Sequence, residues 1–222
     1  MQQYKQDFIE FLVKAKVLKF GDFTLKSGRK CPYFLNFGDV YSGESIAALG
    51  KYYAAALNEH VQEYDVLFGP AYKGIPISVA TSIALSQEFG RNTDYSYNRK
   101  EAKDHGEGGM LVGAKIGPES KVMILDDVMT AGTALRESLA LLSTVGDPEV
   151  KGVLIAADRM ERGQGEKSAV EEVKNEFGID VYSIVNLSEI VEYLSGKEID
   201  GEVVLDEGKV SQIQEYLKEY GV

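Results

Sequence analysis

The pattern of apolar residues along this chain predicts its secondary-structure elements. Near the N-terminus they return every three or four positions, which predicts an amphipathic helix packed on the rest of the protein. These positions are Tyr4, Phe8, Phe11, Leu12, Ala15 and Leu18. Next, the stretch FTLKSGRKCPYFLNFG has two β-prone runs around a basic, glycine-containing turn, which favours a hairpin. An alanine- and tyrosine-rich run at 45–58 predicts a second helix.

The central part of the chain repeats a strand, a short loop and a helix. Strand-like runs DVLFGP, KVMILDD, VKGVLIAAD and DVYSIVN are each followed by a helical run, and DYSYNR is a further strand. Strands that alternate with helices predict a doubly wound α/β fold, with a mainly parallel sheet, helices on both faces and right-handed crossovers. The first helix and hairpin would form an N-terminal hood on this sheet. After Gly201 we expect a short strand and a closing helix at 210–220.

Length and charge limit the classes of function. A chain of 222 residues fits a single α/β domain over 1–222. The formal net charge of -11 argues against a general nucleic-acid or membrane binder, because such surfaces are usually basic. Cys31 has no second cysteine to pair with, and neither a leader nor a membrane-spanning run is apparent. We therefore expect a soluble cytoplasmic protein.

The stretch KVMILDDVMTAGTAL, at 121–135, has the composition of a ligand site. Its apolar run reads as a strand buried on both faces, so Asp126 and Asp127 would lie at the carboxyl end, where open α/β sheets bind ligands. The small turn that follows would present backbone N–H groups at a helix N-terminus, which favours phosphate. Neither a Walker A lysine nor a Rossmann glycine fingerprint is present.

The two carboxylates would repel that phosphate. They are better suited to accept hydrogen bonds from hydroxyls of the same ligand, or to face a magnesium ion. A sugar phosphate suits both halves of the stretch. The structural alternative is an acidic pair that caps the helix.

Other candidate ligand residues follow strands or lie in turns. Lys73, beside Tyr72, and Lys26 could bind further phosphates. Any one such lysine is more often a solvated surface residue, but their number in so acidic a chain favours a polyanionic small molecule. Arg159 could bind a carboxylate or pair with Glu161. Phe34 could stack on a planar ring or belong to the core.

The polar segment at 98–113 interrupts the alternating pattern. It combines basic residues, acidic residues and glycines, with little apolar surface before Met110. A long polar loop inside a compact domain is usually functional or disordered. Both interpretations remain open for this segment alone. His60, at a predicted helix end, and Cys31 are given no catalytic role.

These motifs resemble a known family. VMILDDVMTAGTAL resembles the ribose-diphosphate motif of the type I phosphoribosyltransferases. FTLKSGRKCPYFLNFG, LFGPAYKGIP, NRKEAKDHGEGG and ADRMERGQGE are similar, in order and spacing, to stretches of the orotate phosphoribosyltransferases. The resemblance covers nearly the whole chain.

The resemblance implies a reaction of orotate with 5-phospho-α-D-ribose 1-diphosphate, giving orotidine 5'-monophosphate and diphosphate in pyrimidine synthesis. It implies that the turn holds the 5'-phosphate, that Asp126 and Asp127 bind the ribose hydroxyls, and that Lys103 is the leading catalytic residue beside them. It also implies a homodimer with shared sites, whose polar loop closes over the neighbouring subunit. Mg2+ is expected mainly through the diphosphate and water, with no residue as a dedicated metal ligand.

The resemblance places further residues by motif. The diphosphate contacts would be Lys26, Tyr72, Lys73, Arg99, Lys100, Lys103 and His105. The phosphate turn and its flanks would be Val128, Met129, Thr130, Ala131, Gly132, Thr133 and Ala134. Phe34 would contact the orotate ring, Leu35 would stand beside it, and Arg159 would bind the orotate carboxylate.

Two residues depart from the family pattern, and other functions remain to be separated. Leu35 stands where a second aromatic is common, and Cys31 where a serine is common. A purine phosphoribosyltransferase, a non-catalytic regulator of the same fold and a receiver domain share parts of the pattern. The purine enzyme should lack the combination of hairpin, polar loop and Arg159. The regulator does not need Lys103 and His105 in a closing loop, and the receiver has no use for the Thr-Ala-Gly-Thr turn. A fused decarboxylase has no room in this chain.

Overall fold

A six-stranded sheet with helices on both faces forms the body of the protein. This computed structural model describes residues 1–25, 28–103, 109–130, 132–163 and 165–222, except the side chains of 102 and 103. The sheet consists of β3 (Val66–Gly69), β4 (Asp94–Lys103), β5 (Gly109–Gly113), β6 (Lys121–Val128), β7 (Glu149–Asp158) and β8 (Val181–Asn186). Its order is β5-β4-β3-β6-β7-β8. All neighbours are parallel except β4 and β5, which run antiparallel.

Successive residues of the central strands enter two separate cores. Leu67 and Met123 belong to one hydrophobic cluster, and their neighbours Phe68 and Ile124 belong to the other. This alternation follows from the two-residue period of a strand. Since both faces are covered, the strands are continuous apolar runs, and the predicted doubly wound fold is confirmed.

The helices divide between these two cores. One core receives α1 (Gln3–Lys14), α2 (Gly43–His60), α3 (Gly74–Phe89), α6 (Leu187–Leu194) and α7 (Glu207–Tyr220). The other receives α4 (Thr133–Thr144) and α5 (Ala169–Phe177). None of the helices in the described ranges is both long and apolar enough to cross a bilayer.

The predicted hood is present at the N-terminus. Helix α1 buries Phe8, Ile9 and Leu12, and β1 (Leu18–Thr24) pairs antiparallel with β2 (Lys30–Leu35). Leu18, which has helical spacing in the sequence, instead begins β1, because α1 ends at Lys14. The strand β2 alternates its side chains, with Cys31, Tyr33 and Leu35 turned inward.

The polar segment at 98–113 is shorter as a loop than the sequence suggests. Strand β4 continues to Lys103, and β5 begins at Gly109, so both ends of the segment form an antiparallel hairpin. Tertiary pairing overrides the polar composition here, since an edge strand can satisfy its backbone while its side chains face water.

The C-terminal segment closes on the hood. The short strands β9 (Glu198–Ile199) and β10 (Glu202–Val203) pair with each other before α7. Helix α7 then packs against β2, where the rings of Tyr33 and Tyr216 meet edge to face with centroids 6.0 Å apart. The expected strand and helix are thus confirmed, with α7 beginning earlier, at Glu207.

Candidate active site

The acidic pair lies at the carboxyl edge of the sheet, in the last three residues of β6. Asp126 pairs in register with Ile155 of β7, and the strand continues to Val128. Neighbouring residues of a strand point to opposite faces, so the two carboxylates lie on opposite sides of the sheet and contact different groups. Asp127 is nearly buried, and its Oδ2 lies 2.6 Å from Nζ of Lys73. The parallel pairing of β3 with β6 brings this lysine, which follows β3, to the acid.

Asp126 is half-buried at the edge of the sheet, and its carboxyl has a raised pKa. Burial, and then the charge of Asp127, raise the pKa of Asp126 to about 7. Its Oδ1 accepts a hydrogen bond of 2.9 Å from the backbone N–H of Asp127, and its own carbonyl accepts one of 2.6 Å from Tyr53 Oη. Both ends of the residue are therefore held, and near neutral pH the side chain can act as an acceptor or as a proton carrier.

A cavity of about 250 Å³ opens beside Asp126, between the end of β6 and the start of α4. Six of the residues predicted for the phosphate turn line it. They are Val128, Met129, Thr130, Gly132, Thr133 and Ala134, and the rest of the wall is Pro70, Ile124, Asp126, Leu135, Val153 and Ile155. The structure therefore brings together one predicted carboxylate and the turn that follows it.

Helix α4 begins in a way that leaves its first N–H groups available to an anion. Gly132 is its N-cap, with a φ of 68°, and the described residues provide no side-chain cap and no acid in the first turn. By contrast, α2, α5, α6 and α7 all have side-chain N-caps and acids in the first turn. An uncapped helix start next to small residues fits a phosphate group.

The loop between β3 and α3 is a second candidate anion site at the same edge. Helix α3 has Lys73 as its N-cap, again without a side-chain cap or an acid in the first turn. Gly69 and Gly74 allow the helix to start against the strand, since a Cβ on Gly69 would lie 2.1 Å from the carbonyl oxygen of Gly74. Asn98 Oδ1 on β4 accepts a 2.8 Å hydrogen bond from the N–H of Ala71, which fixes the loop to the sheet.

Predicted diphosphate residues on β4 are placed in two ways. Lys100 Nζ lies 5.9 Å from the ring centroid of Tyr72, which is 71% exposed, so these two residues flank the same loop. Arg99 instead spans its own hairpin, and its Nη1 donates to the carbonyls of Gly109 and Leu111. Arg99 thus stabilises β5, whereas Lys100 faces the loop between β3 and α3.

The residues predicted for the planar ring and its carboxylate lie on the hood and after β7. Phe34 is half-buried and stacks on Phe23, with ring centroids 5.4 Å apart. Leu35 faces the other way and is part of the core. Arg159 is 8% exposed, and its Nε and Nη2 donate to Glu161 Oε1 at 3.1 and 2.7 Å. The ion pair that the sequence allowed is therefore formed, and it is buried rather than on the surface.

Comparisons with known proteins agree with this geometry. The model of the phosphoribosyl transferase domain matches residues 37–187. The orotate phosphoribosyltransferases of Clostridium acetobutylicum and Vibrio cholerae are each 49% identical to this chain. Each alignment covers 100% of this chain and 100% of the relative. This chain belongs to the orotate phosphoribosyltransferase family.

Solved structures support the same assignment of fold. The crystal structure of an orotate phosphoribosyltransferase of Francisella tularensis superposes with a TM-score of 0.84 at 39% identity, over 97% of this chain and 100% of that one. UMP synthase of Leishmania donovani shares the fold at 22% identity and a TM-score of 0.74, with 97% of this chain matching 42% of that longer one.

Some predicted residues of this phosphoribosyltransferase lie outside the described residues. Lys26, His105 and Ala131 are among them. The backbone of Lys103 is described at the end of β4, but its side chain is not. The roles predicted for these four residues therefore stay predictions.

Several residues that support the site were missed in the sequence. Tyr53 holds the backbone of Asp126, Asn98 holds the loop after β3, and Phe23 backs Phe34. Tyr53 is fully buried, and a phenol in an otherwise apolar helical stripe was the available signal, since buried hydroxyls usually have a partner. The other two depend on cross-strand placement, which no local pattern encodes.

Proposed function

We infer that this enzyme transfers the ribose 5-phosphate of 5-phospho-α-D-ribose 1-diphosphate to orotate, giving orotidine 5'-monophosphate and diphosphate in pyrimidine nucleotide synthesis. The observation that carries this proposal is the full-length identity of 49% to orotate phosphoribosyltransferases. The geometry agrees, because an acidic pair, an uncapped helix start and a lysine-bearing loop share one edge of the sheet. These groups suit the hydroxyls, the 5'-phosphate and the diphosphate of one sugar donor.

The residues around the cavity would bind the donor. Thr130, Gly132 and Thr133 would hold the 5'-phosphate with backbone N–H groups and hydroxyls. Asp126 and Asp127 would accept hydrogen bonds from the ribose hydroxyls. As the bond from C1 to diphosphate breaks, positive charge develops on the ribose and negative charge on the leaving group, so groups that are already in place lower the barrier.

Cations would stabilise the leaving diphosphate. Lys73 is anchored by Asp127, and Lys100 flanks Tyr72 at the same loop. Lys103, at the end of β4, is the proposed catalytic lysine. We expect the segment that follows it to close over the site of a neighbouring subunit and exclude water, which protects the reacting ribose from hydrolysis. This part of the proposal includes a cytoplasmic homodimer with shared sites.

The donor set near the acidic pair fits a magnesium ion that arrives on the diphosphate. Among the described residues, no group of three or more His, Cys, Asp or Glu side chains could hold a metal ion. Mg2+ commonly keeps several waters and binds through one or two carboxylates and substrate phosphates. Asp126 and Asp127 would approach it through water. When bound, the ion neutralises charge that develops on the leaving group.

A spectrophotometric assay tests the reaction. Protein, magnesium, orotate and the ribose diphosphate are mixed, and the loss of orotate absorbance in the ultraviolet is followed. Turnover that requires all four components supports the proposal. Turnover with adenine or hypoxanthine but none with orotate would overturn it, and would indicate a purine phosphoribosyltransferase instead.

A subunit-mixing experiment tests the shared site. Lys103→Ala and Asp127→Asn are each expected to be nearly inactive alone. If the lysine acts in the partner's site, mixed dimers contain one site with neither change, so a 1:1 mixture should recover up to about a quarter of wild-type activity. A mixture that stays at the sum of the two variants would contradict an action across subunits.

A further inference from the structure

Glu161 forms the main polar contacts of Arg159, and it does so from one edge of the guanidinium. Its Oε1 accepts from Nε at 3.1 Å and from Nη2 at 2.7 Å. Nη2 also lies 3.6 Å from Sγ of Cys31. Among the residues described, none accepts a hydrogen bond from Nη1 of Arg159. The guanidinium is therefore fixed along its Nε–Nη2 edge, and Nη1, which has no acceptor among the described residues, could donate to a ligand carboxylate.

Glu161 is itself held by groups of the hairpin. Tyr33 Oη donates to the same Oε1 at 2.7 Å, and Nη1 of Arg29 lies 3.4 Å from Oε2. The carboxylate side chain is only 12% exposed. A carboxylate with this many donors in a shielded place is costly to move, because each donor would lose a charge-assisted hydrogen bond. Glu161 is thus built to stay in place.

The same contacts join the two parts of the predicted orotate site. Tyr33 on β2 faces inward to Glu161, and the adjacent Phe34 faces the other side of the strand. Glu161 therefore links the loop after β7, which carries Arg159, to the strand that carries Phe34. The distance between the ring contact and the carboxylate contact depends on this link.

We propose that Glu161 is a positioning residue for substrate recognition: it orients Arg159 so that the Nη1 side of the guanidinium binds the carboxylate of the pyrimidine substrate. The proposal rests on the function inferred above. The competing role is a masking counterion, which would occupy Arg159 until a substrate carboxylate displaced it. The geometry favours positioning, because Oε1 engages the Nε–Nη2 edge, while Nη1 has no acceptor within the part of the chain that the structure describes.

Two substitutions of Glu161 separate these roles. Glu161→Gln keeps the volume and removes the charge, whereas Glu161→Asp keeps the charge and shortens the reach by one methylene. Loss of the negative charge alone would strengthen the attraction of Arg159 for a carboxylate, while loss of orientation would weaken binding. A positioning residue should therefore be impaired by both changes, with a KM for orotate raised about tenfold, as expected for weakening one charge-assisted contact.

The readouts distinguish positioning from general damage to the fold. The KM for the ribose diphosphate should stay within about twofold of wild type, because Arg159 does not contact that substrate in the proposal. Inhibition by uracil, which has the ring without the carboxylate, should also be unchanged. The matched control is Glu10→Gln, which removes another carboxylate that binds a tyrosine hydroxyl and two lysines, on α1. It should leave the KM for orotate unchanged.

Each outcome bears on the proposal. A lower KM for orotate in Glu161→Gln would show that Glu161 is a masking counterion and would overturn positioning. An unchanged KM for orotate in both variants would also overturn positioning. Equal weakening of orotate and uracil would show that Glu161 only supports the fold of the hairpin. Failure of the wild-type protein to use orotate would instead refute the proposed function, so the two failures are distinguishable.

Discussion

The hydroxyl of Tyr53 donates a hydrogen bond of 2.6 Å to the backbone carbonyl of Asp126. This bond joins a fully buried side chain of α2 to the strand end that carries the acidic pair. The phenol of Tyr53 thus connects the core around α2 to the candidate active site. A phenylalanine at position 53 would remove this hydrogen bond by deleting only the hydroxyl oxygen.

Tyr53→Phe should lower stability by about 1 kcal/mol, the usual net contribution of a buried hydrogen bond. It should also lower kcat/KM for the ribose diphosphate by about tenfold, because a small displacement of Asp126 misaligns the ribose. Urea unfolding and steady-state kinetics measure the two effects. Tyr52→Phe is the matched control, since Tyr52 donates a similar bond of 3.2 Å from the same helix to the carbonyl of Asp7. Equal kinetic losses in both variants would refute the coupling.

Stability should fall as pH rises through neutrality because of Asp126. Its pKa in the folded protein is about 7, above the value of about 4 for an unfolded aspartate. Between these two values the folded state binds more protons, so the free energy of unfolding decreases as pH increases. The stabilisation that the protonated carboxyl provides is complete at pH values below its pKa in the unfolded state. It is lost as pH rises through its pKa in the folded state.

Asp126→Asn should remove this dependence, since an amide does not ionise and can still accept from the N–H of Asp127. The stability of the variant relative to wild type should increase by at least about 1.4 kcal/mol, one pKa unit, between pH 5 and pH 8. Urea unfolding across this range measures it. Asp39→Asn is the control, because Lys19 lowers the pKa of Asp39, so this half-buried carboxyl stays ionised over the range. A difference that does not vary with pH for Asp126→Asn would contradict the assignment.

Gly69→Ala should disturb the start of α3. The added Cβ would lie 2.1 Å from the carbonyl oxygen of Gly74, so the helix must shift away from β3. We expect a loss of stability of about 1–3 kcal/mol, typical of overpacking, and a higher KM for the ribose diphosphate, because the loop with Lys73 moves. Gly117→Ala is the control, since nothing lies within 4 Å of its added Cβ. An unchanged melting temperature and KM in Gly69→Ala would contradict this account.

Lys103→Ala should reduce kcat about 100-fold, comparable to the loss of one group that stabilises transition-state charge. The free energy of unfolding should change little, because the segment after β4 has no apolar residue to bury before Met110. Steady-state kinetics and urea unfolding provide the comparison. Lys115→Ala removes an exposed lysine after β5 and should leave both quantities unchanged. Parallel losses of stability and turnover in Lys103→Ala would exclude a catalytic role.

Much of this fold follows from local patterns. The run Val122–Leu125 is apolar at every position, so it had to be covered on both faces, and all four residues are at most 1% exposed. The acidic pair and the small turn after it are adjacent in sequence, so their location at a strand end was predictable as well. The length of β4 was not, because its pairing with β5 comes from a partner strand and not from its own polar residues.

The sequence by itself determined which chemical groups stand at the carboxyl edge of the sheet, because strand periodicity and motif spacing are local properties of the chain. Only the tertiary structure decided which groups meet there. Tyr53 under Asp126, Lys73 on Asp127 and Tyr33 on Glu161 depend on how α2, the loop after β3 and the hairpin pack against the sheet. Such contacts are determined by topology and side-chain packing over long sequence distances, which hydrophobic patterns do not specify.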